Sequence, residues 1–412
     1  MPHTQTDVQK FTALNSGTCT AVFMWWDCWT DPANSVLLSC APKWIHHEPK
    51  QMPWRDHWMQ AIYYPQQDIE VGKGDELVLQ SDHDEYSLWF DVRKEEKHDL
   101  NATYLPISRT RLGEINNSGK NRQYDSALTA MLYFNPGASV LALSEPSLIG
   151  LMAAMQDTTS RVTILQENNQ MTRVLQDLAI KNGVANKLKF VSDLDEVKET
   201  FDIVIGDPFF SFSLLPWHNL LFWNHLTALR QKGSINATTS IMPGKFSLWV
   251  VPVHYEHLWK IRAPLHNIEG FNMRHFDKII DEASVTADDN IEPHPLWEYP
   301  CTALGTAAQA VVFDLTNDLP EETQAFTGSI AVDSSQVDLN GMAVWCDWEL
   351  VPGSTVSTGP CREIAVGEPI TWNMDAKQGV HFFRSPSPAS SVLYNIKYDP
   401  TEGDFTFEFN LD

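Results

Sequence analysis

The sequence predicts an α/β plus all-β protein whose regions run in the order β, α/β, β. Three observations predict it. Short runs of aromatic and β-branched residues fill positions 11–92 and return from about Ile235 to the end. Between them strands alternate with helical patterns, as in a parallel sheet with helices on both faces. A Trp-to-Gln stretch also occurs twice, with matching flanks, and such self-similarity marks a duplicated domain.

The first β region has candidate strands at Thr20–Trp26, Ser35–Ser39, Met59–Tyr64, Leu77–Gln80 and Tyr86–Val92. Asp31-Pro32, Gly72-Lys73-Gly74-Asp75 and Asp82-His83-Asp84 supply turn chemistry between them. Residues 93–110 open on Arg93-Lys94-Glu95-Glu96-Lys97 and read as a linker. The period then changes. Ser139–Leu143 is a buried-type strand followed by a helical run through Met155, and Val162–Leu165 is a second strand. Met171, Val174, Leu175, Leu178 and Ala179 recur at helical spacing, and Lys181-Asn182-Gly183 stops that helix. Phe190-Val191 and Asp202–Ile205 are further strands, and Leu220–Arg230 is a third helix. In the last β region the best strands are Phe246–Val253, Ala310–Phe313, Gly341–Trp348, Val380–Phe383, Val392–Tyr398 and Phe405–Leu411, interrupted by a helix at Met273–Glu282.

The repeat pairs Trp54-Arg55-Asp56-His57-Trp58-Met59-Gln60 with Trp372-Asn373-Met374-Asp375-Ala376-Lys377-Gln378, where only the terminal Trp and Gln survive. Pro42 and Pro360 lie the same distance upstream (54 − 42 = 372 − 360 = 12). By identity, Ala21-Val22 and Trp26-Asp27 match Ala343-Val344 and Trp348-Glu349. A site kept in one copy and lost from the other is the expectation.

Bulk composition narrows the function. The chain has 412 residues, 43% hydrophobic and 20% charged, and no run approaches the roughly 18 apolar residues of a membrane span. Its N-terminus lacks the basic-then-apolar pattern of a signal peptide. Six cysteines with no C-x-x-C pair fit a reducing compartment, cytoplasmic or nuclear. A formal charge of −24 argues against direct nucleic-acid binding and suits basic protein partners, or simply solubility.

Several segments together resemble the protein arginine N-methyltransferases in their tandem-repeat form. They are Trp25-Trp26-Asp27, Trp54–Gln60, Arg111-Leu112-Gly113-Glu114-Ile115-Asn116, Pro208-Phe209-Phe210, Leu214–Asn219, Glu269-Gly270-Phe271-Asn272 and the long Glu292–Cys301 run. The resemblance implies residues 1–92 as the later part of a first-repeat β-barrel and 93–110 as linker. It implies 111–234 as a degenerate S-adenosylmethionine-methyltransferase-like, Rossmann-type domain. Residues 235–412 become a second β-barrel with a dimerisation-arm-like insertion near 256–290. It also implies methyl transfer from S-adenosyl-L-methionine to arginine side chains of basic proteins, with mono- and symmetric dimethylarginine as products. Two glutamates of such enzymes orient the guanidinium, and a barrel-loop Trp walls its channel. The two repeats would form an intramolecular pseudo-dimer.

Asp56-His57-Trp58 falls on the substrate-pocket loop of the family. From spacing alone it reads as a barrel turn with buried aromatics; the resemblance reverses that preference, with Asp56 and His57 an orienting pair and Trp58 lining the channel. The second repeat departs from the pattern. Ala142 stands for the acid that ends the first strand, and Ser144, Pro146 and Leu148 stand at glycine positions where backbone must approach the cofactor. Glu167 is a vestigial ribose carboxylate. Asp207 replaces the first glutamate with a shorter carboxylate, and the second falls on Pro216, so no intact cofactor site is expected. The Cys-x-Cys zinc pattern of tandem members is missing around Lys97-His98, and His46-His47 alone makes a poor metal site, so no metal is expected. The chain is expected to be a fragment, or a gene model missing its start, and inactive alone. Two other classes stand beside it: a non-catalytic pseudo-methyltransferase scaffold and a Trp-rich β binding module.

Overall fold

The computed structural model describes residues 5–33, 35–42, 44–45, 60–65, 68–83, 88–94, 109–143, 147–208, 214–262, 264–287 and 290–412. The chain divides into two compact units, Met1–Leu105 and Pro106–Asp412.

The first unit is all β among its described residues. Its strands are β1 (Gln5–Thr12), β2 (Gly17–Cys19), β3 (Val22–Met24), β4 (Asp27–Trp29), β5 (Leu37–Ser39), β6 (Ala61–Tyr63), β7 (Ile69–Val71), β8 (Glu76–His83) and β9 (Leu88–Arg93). They pair antiparallel as a β1-β8-β9 sheet and as the two-stranded ladders β2-β7, β3-β6 and β4-β5. The predicted Gly72–Asp75 turn is present: Gly74 takes φ +92°, where a Cβ would be strained, and its N–H donates to the Ala13 carbonyl at 2.8 Å. Strand β1 has no hydrophobic run and is held by full-length pairing to β8, Gln5 opposite His83 through Thr12 opposite Glu76.

The second unit opens with two helices, α1 (Arg109–Ile115) and α2 (Ser118–Phe134). Asn117 caps α2, its Oδ1 accepting from the Lys120 N–H at 2.9 Å. The α/β region follows with β10 (Ser139–Leu143), α3 (Ile149–Met155), β11 (Arg161–Leu165), α4 (Asn169–Lys181), β12 (Leu188–Val191), β13 (Ile203–Ile205), α5 (Leu221–Gln231) and β14 (Ser240–Met242). The sheet is parallel throughout, in the order β12-β11-β10-β13-β14, so the winding reverses between β10 and β13. Both faces are covered. Leu141, Leu143 and Val204 pack with Phe222, Leu226 and Leu229 of α5, while Val140, Ile203 and Ile205 pack with Leu128, Ala153 and Leu175. Each of the Val, Leu, Ile and Phe side chains among these contributes about 1.5–3 kcal/mol by leaving water.

Then come β15 (Lys245–Tyr255), the short pair β16 (Asn267–Ile268) and β17 (Phe271–Asn272), α6 (Arg274–Ala287), β18 (Glu292–His294), β19 (Cys301–Ala303), β20 (Ala308–Asp314), β21 (Gln324–Ala331), β22 (Leu339–Val351), β23 (Ser354–Ser357), β24 (Gln378–Ser387), β25 (Ser391–Asp399) and β26 (Asp404–Leu411). One sheet runs β18-β24-β22-β15-β19, with β20 also on β15 and β23 also on β22; β21-β25-β26 is a second sheet.

Similar hydrogen bonds recur around the two copies of the repeated stretch. Gln60 Nε2 donates to the Cys40 carbonyl at 2.6 Å, and Gln378 Nε2 donates to the Thr358 carbonyl at 2.7 Å (378 − 60 = 358 − 40 = 318). The Ala41 N–H donates to Ser39 Oγ at 3.1 Å, and Gly359 N–H to Ser357 Oγ at 3.0 Å. The Trp26 N–H meets Cys40 Sγ at 3.3 Å, as the Cys346 N–H meets Thr358 Oγ1 at 3.1 Å. That last pair corrects the alignment by identity. Trp26 corresponds to Cys346, not Trp348 (346 − 26 = 320), and Ala21-Val22 correspond to Gly341-Met342. The ladders agree: Asp27 opposes Ser39 as Asp347 opposes Ser357, and Val22 opposes Tyr63 as Met342 opposes His381.

Candidate functional site

In a doubly wound sheet, ligands bind beyond the carboxyl ends of the strands where the winding reverses. Here that point lies past β10 and β13. Gly206 and Asp207 follow β13 directly, and Gly206 permits a close approach there: a Cβ would lie 2.3 Å from Phe222 Cε2. Its carbonyl accepts from the Tyr124 hydroxyl at 3.1 Å.

Asp207 is the centre of a buried ionic cluster. Lys120 Nζ lies 3.3 and 3.2 Å from its two carboxylate oxygens and 2.8 Å from Glu114 Oε2. Arg111 Nη2 donates to Asp207 Oδ2 at 3.2 Å, and Arg111 is only 1% exposed. Helix geometry sets the cluster up. Arg111 and Glu114 sit one turn apart on α1, and the Asn117 cap begins α2 so that Lys120 and Tyr124, four residues apart, share one face. Burial alone would push the Asp207 carboxyl up, but Lys120 and Arg111 outweigh it and hold its pKa below the ordinary 3.8. At Glu114 burial prevails over Lys120, and the carboxyl is pushed above the ordinary 4.5. Burial, then Asp207, pushes the Tyr124 hydroxyl well above its usual range. Both carboxylates of the cluster are thus committed to cations of their own chain.

The neighbouring positions are packed. Leu148 lies against the core at the start of α3. Pro216 opens a short 3₁₀ turn whose next residue, Trp217, is fully buried; a Cβ on Gly379 would touch that indole at 2.3 Å. Glu167 follows β11 and is exposed. Ser144, Pro146 and the Phe209–Phe212 cluster lie outside the described residues.

So do Asp56, His57 and Trp58, the pocket loop expected of the first repeat. Their counterpart in the second repeat is described. Trp372 is buried with its indole N–H 3.2 Å from Cys301 Sγ. Gln378, wholly buried, donates to the carbonyls of Thr358, Asn373 and Ala376 and accepts from the Leu296 N–H. Asp375, the counterpart of His57 (375 − 57 = 318), accepts from Asn117 Nδ2 at 2.7 Å. The repeated loop therefore meets α2 at the cap that positions Lys120. In the sequence Arg111 and Glu114 stand out only as family-like residues and Lys120 does not stand out; the usable signal is the charge of all three within otherwise amphipathic helical turns.

Among the described residues, no group of three His, Cys, Asp or Glu side chains is placed to hold a metal ion, and no helix is long and apolar enough to cross a membrane.

Residues 4–95 match the family model described as Arginine methyltransferase oligomerization subdomain. Over 97% of its length the chain is 35% identical to Protein arginine N-methyltransferase 7 of Drosophila simulans, covering 60% of that protein. It is 32% identical over 98% of its length to the protein of that name from Danio rerio, covering 61%. The chain thus spans about three-fifths of the length of the curated relatives it matches. Two solved structures superpose on 73% of the chain with a TM-score of 0.54: the Trypanosoma brucei PRMT1 enzyme-prozyme heterotetrameric complex with AdoHcy, at 15% identity over 92% of that chain, and Arabidopsis thaliana Protein Arginine Methyltransferase 10, at 12% over 96%. These two likenesses show the fold.

Proposed function

From the premise that the chain is a relative of protein arginine N-methyltransferase 7 across 97% of its length, we propose that it serves S-adenosyl-L-methionine-dependent methylation of protein arginine side chains. In this assignment Asp56, His57 and Trp58 form a substrate-pocket loop in the first repeat, and the α/β region of the second repeat is a pseudo-methyltransferase that binds neither cofactor nor substrate arginine. Basic proteins would be the substrates and mono- or symmetric dimethylarginine the products. The two repeats would act as an intramolecular pseudo-dimer, with residues 256–290 as its arm.

One observation carries the assignment. The loop Trp372–Gln378 meets the α/β region through Asp375 and Asn117, beside a pair of carboxylates. A loop so placed in a working repeat would face the carboxylates that grip a guanidinium. In the second repeat Lys120 and Arg111 take up those carboxylates. The residues present do not fit S-adenosylmethionine: Leu148 and Ala142 pack into the core where the family uses glycines and an acid.

Photocrosslinking of tritiated S-adenosylmethionine to the full chain, with peptide mapping, tests the pseudo-enzyme assignment. No label is expected in residues 139–215. Label there, competed by S-adenosylhomocysteine, sinks it. Saturable binding of a glycan array without affinity for arginine peptides would instead favour a Trp-rich β binding module.

A further inference from the structure

One face of the β15–β22 ladder carries polar and aromatic side chains that the proposed methyl transfer does not use. Ser247 stands opposite Asp347, and Trp249 opposite Trp345. Residues opposite one another share a face, and so do residues two apart on a strand. Ser357 of β23 stands opposite Asp347 and extends the row. Gln309 of β20 stands opposite Trp249, with its Nε2 donating to Ser247 Oγ at 2.9 Å. Asp347 is thus a carboxyl set between two serines, in a low row beside taller ones. On one side stand the two indoles, stacked with centroids 6.1 Å apart and planes 5° from parallel. On the other side Lys245 pairs with Glu349 at 3.2 Å. The indole wall is held in place. Trp372 packs edge-on against Trp345, centroids 5.7 Å apart, and a Cβ on Gly359 would lie 2.1 Å from Trp345 Cδ1.

The carboxyl lacks a positive partner. Asp347 Oδ1 and the Trp249 indole nitrogen are both buried without a hydrogen bond of ordinary geometry, although each residue as a whole is only half-buried. Lys245 is taken by Glu349, and among the described residues no cation forms an ion pair with Asp347. Burial pushes the Asp347 carboxyl above its ordinary 3.8, while Ser357 and the Trp249 indole favour the ionised form. Asp207 makes the contrast: it too is buried, but two cations hold its pKa below 3.8. Trp345, Asp347 and Ser357 also have identical counterparts in the first unit, Trp25, Asp27 and Ser39 (345 − 25 = 347 − 27 = 320; 357 − 39 = 318). Between the loops Trp54–Gln60 and Trp372–Gln378, by comparison, only the terminal residues agree.

We propose that Asp347, Trp249 and the flanking Ser247 and Ser357 form a binding site for the guanidinium of an arginine side chain on a partner polypeptide. A guanidinium combines the properties these residues complement. It is a planar cation whose face stacks on an indole and whose N–H groups donate to a carboxylate and to hydroxyls. It brings the positive charge that Asp347 lacks within its own chain. An ammonium would satisfy that charge but offers no flat face to Trp249. The net charge of −24 favours a basic partner in the first place. Such a site would operate whether or not the chain transfers methyl groups.

The probe is N-acetylarginine amide, whose only charge is the guanidinium, titrated into the full chain labelled with [15N]tryptophan. The Trp249 indole resonance, assigned by its loss in Trp249→Phe, reports the site. A saturable shift of that resonance is expected, with the neutral isostere N-acetylcitrulline amide binding at least tenfold more weakly. Asp347→Asn should weaken arginine binding tenfold or more; circular dichroism melts verify its folding, and Asp347→Ser serves if it does not fold. Glu402→Gln removes one exposed charge elsewhere and should leave binding unchanged. No shift at Trp249, equal binding of the citrulline compound, or unchanged binding in Asp347→Asn overturns the assignment. Equal weakening by Glu402→Gln overturns it too, because the general acidity of the surface would then suffice. Equal binding of N-acetyllysine amide overturns the preference for a guanidinium. The Trp58 resonance, assigned in the same way, reports the expected pocket loop separately, so failure here and failure of the methyl-transfer assignment are told apart.

Discussion

Replacing Lys120 by Met tests the ionic cluster most directly. Met keeps most of the side-chain length and removes the ammonium from between Glu114 Oε2, at 2.8 Å, and Asp207, at 3.2 Å. Breaking a buried ion pair by deleting one partner typically costs about 3–5 kcal/mol, because the remaining charge is stranded in a poor solvent. Arg111 still pairs with Asp207, so the damage falls mainly on Glu114 and the lower half of that range, about 3 kcal/mol, is expected. At roughly 2 °C per kcal/mol for a unit of this size, the melting temperature of the second unit should fall by about 6 °C. Near-ultraviolet circular dichroism and urea titration at pH 7 measure it. The double variant Lys120→Met with Glu114→Gln should recover at least half of the loss, since a neutral amide replaces the stranded carboxylate. A loss below about 1 kcal/mol, or no recovery in the double variant, would refute the cluster as a mutually neutralising device.

Four further outcomes are expected. The lowered pKa of Asp207 contributes stability that is present above pH 3.8 and lost as pH falls through its folded value, so Asp207→Asn should flatten the acid limb of the stability curve there. Glu114 has the opposite sign: its raised pKa makes the second unit lose stability as pH climbs above 4.5, and Glu114→Gln should abolish that decline in urea titrations across pH 4–7. Gly206→Ala forces a Cβ to within 2.3 Å of Phe222 and 3.0 Å of the Leu143 carbonyl, and should cost about 1–3 kcal/mol by overpacking, read from urea midpoints. Gln378→Leu removes the donor from the half-buried carbonyls of Thr358, Asn373 and Ala376 and should cost about 1 kcal/mol, and amide exchange should rise in residues 372–378 before it rises elsewhere.

Much of this architecture was legible before any coordinates. The α/β strands announce themselves because both of their faces are buried, which leaves mostly apolar runs such as Val140–Leu143 and Val162–Leu165. Strand β1 was not legible. Gln-Thr-Asp-Val-Gln-Lys-Phe-Thr has no run to read, and it is a strand because β8 pairs with it along its length. Helix α2 escaped for a similar reason, since its polar face carries Lys120 and Tyr124 into a cluster that only tertiary contact explains. The candidate site was half legible. The substitutions Ala142, Leu148 and Pro216 flagged a lost site, but their consequence, a buried cation pair answering Asp207, joins residues 87 and 96 positions apart.

The two-residue offset between Trp26 and its structural counterpart Cys346 has a practical consequence. Side chains alternate along a strand with a period of two, so a slip of two leaves every residue on its proper face. Hydropathy therefore cannot detect it, whereas a slip of one would turn the strand inside out. Anyone grafting residues from one repeat to the other by identity would keep the polarity pattern intact and still place each side chain about 7 Å too far along the strand. Such a chimera would pass every composition test and fail at the latch, where a thiol in one copy and a hydroxyl in the other meet the same backbone amide.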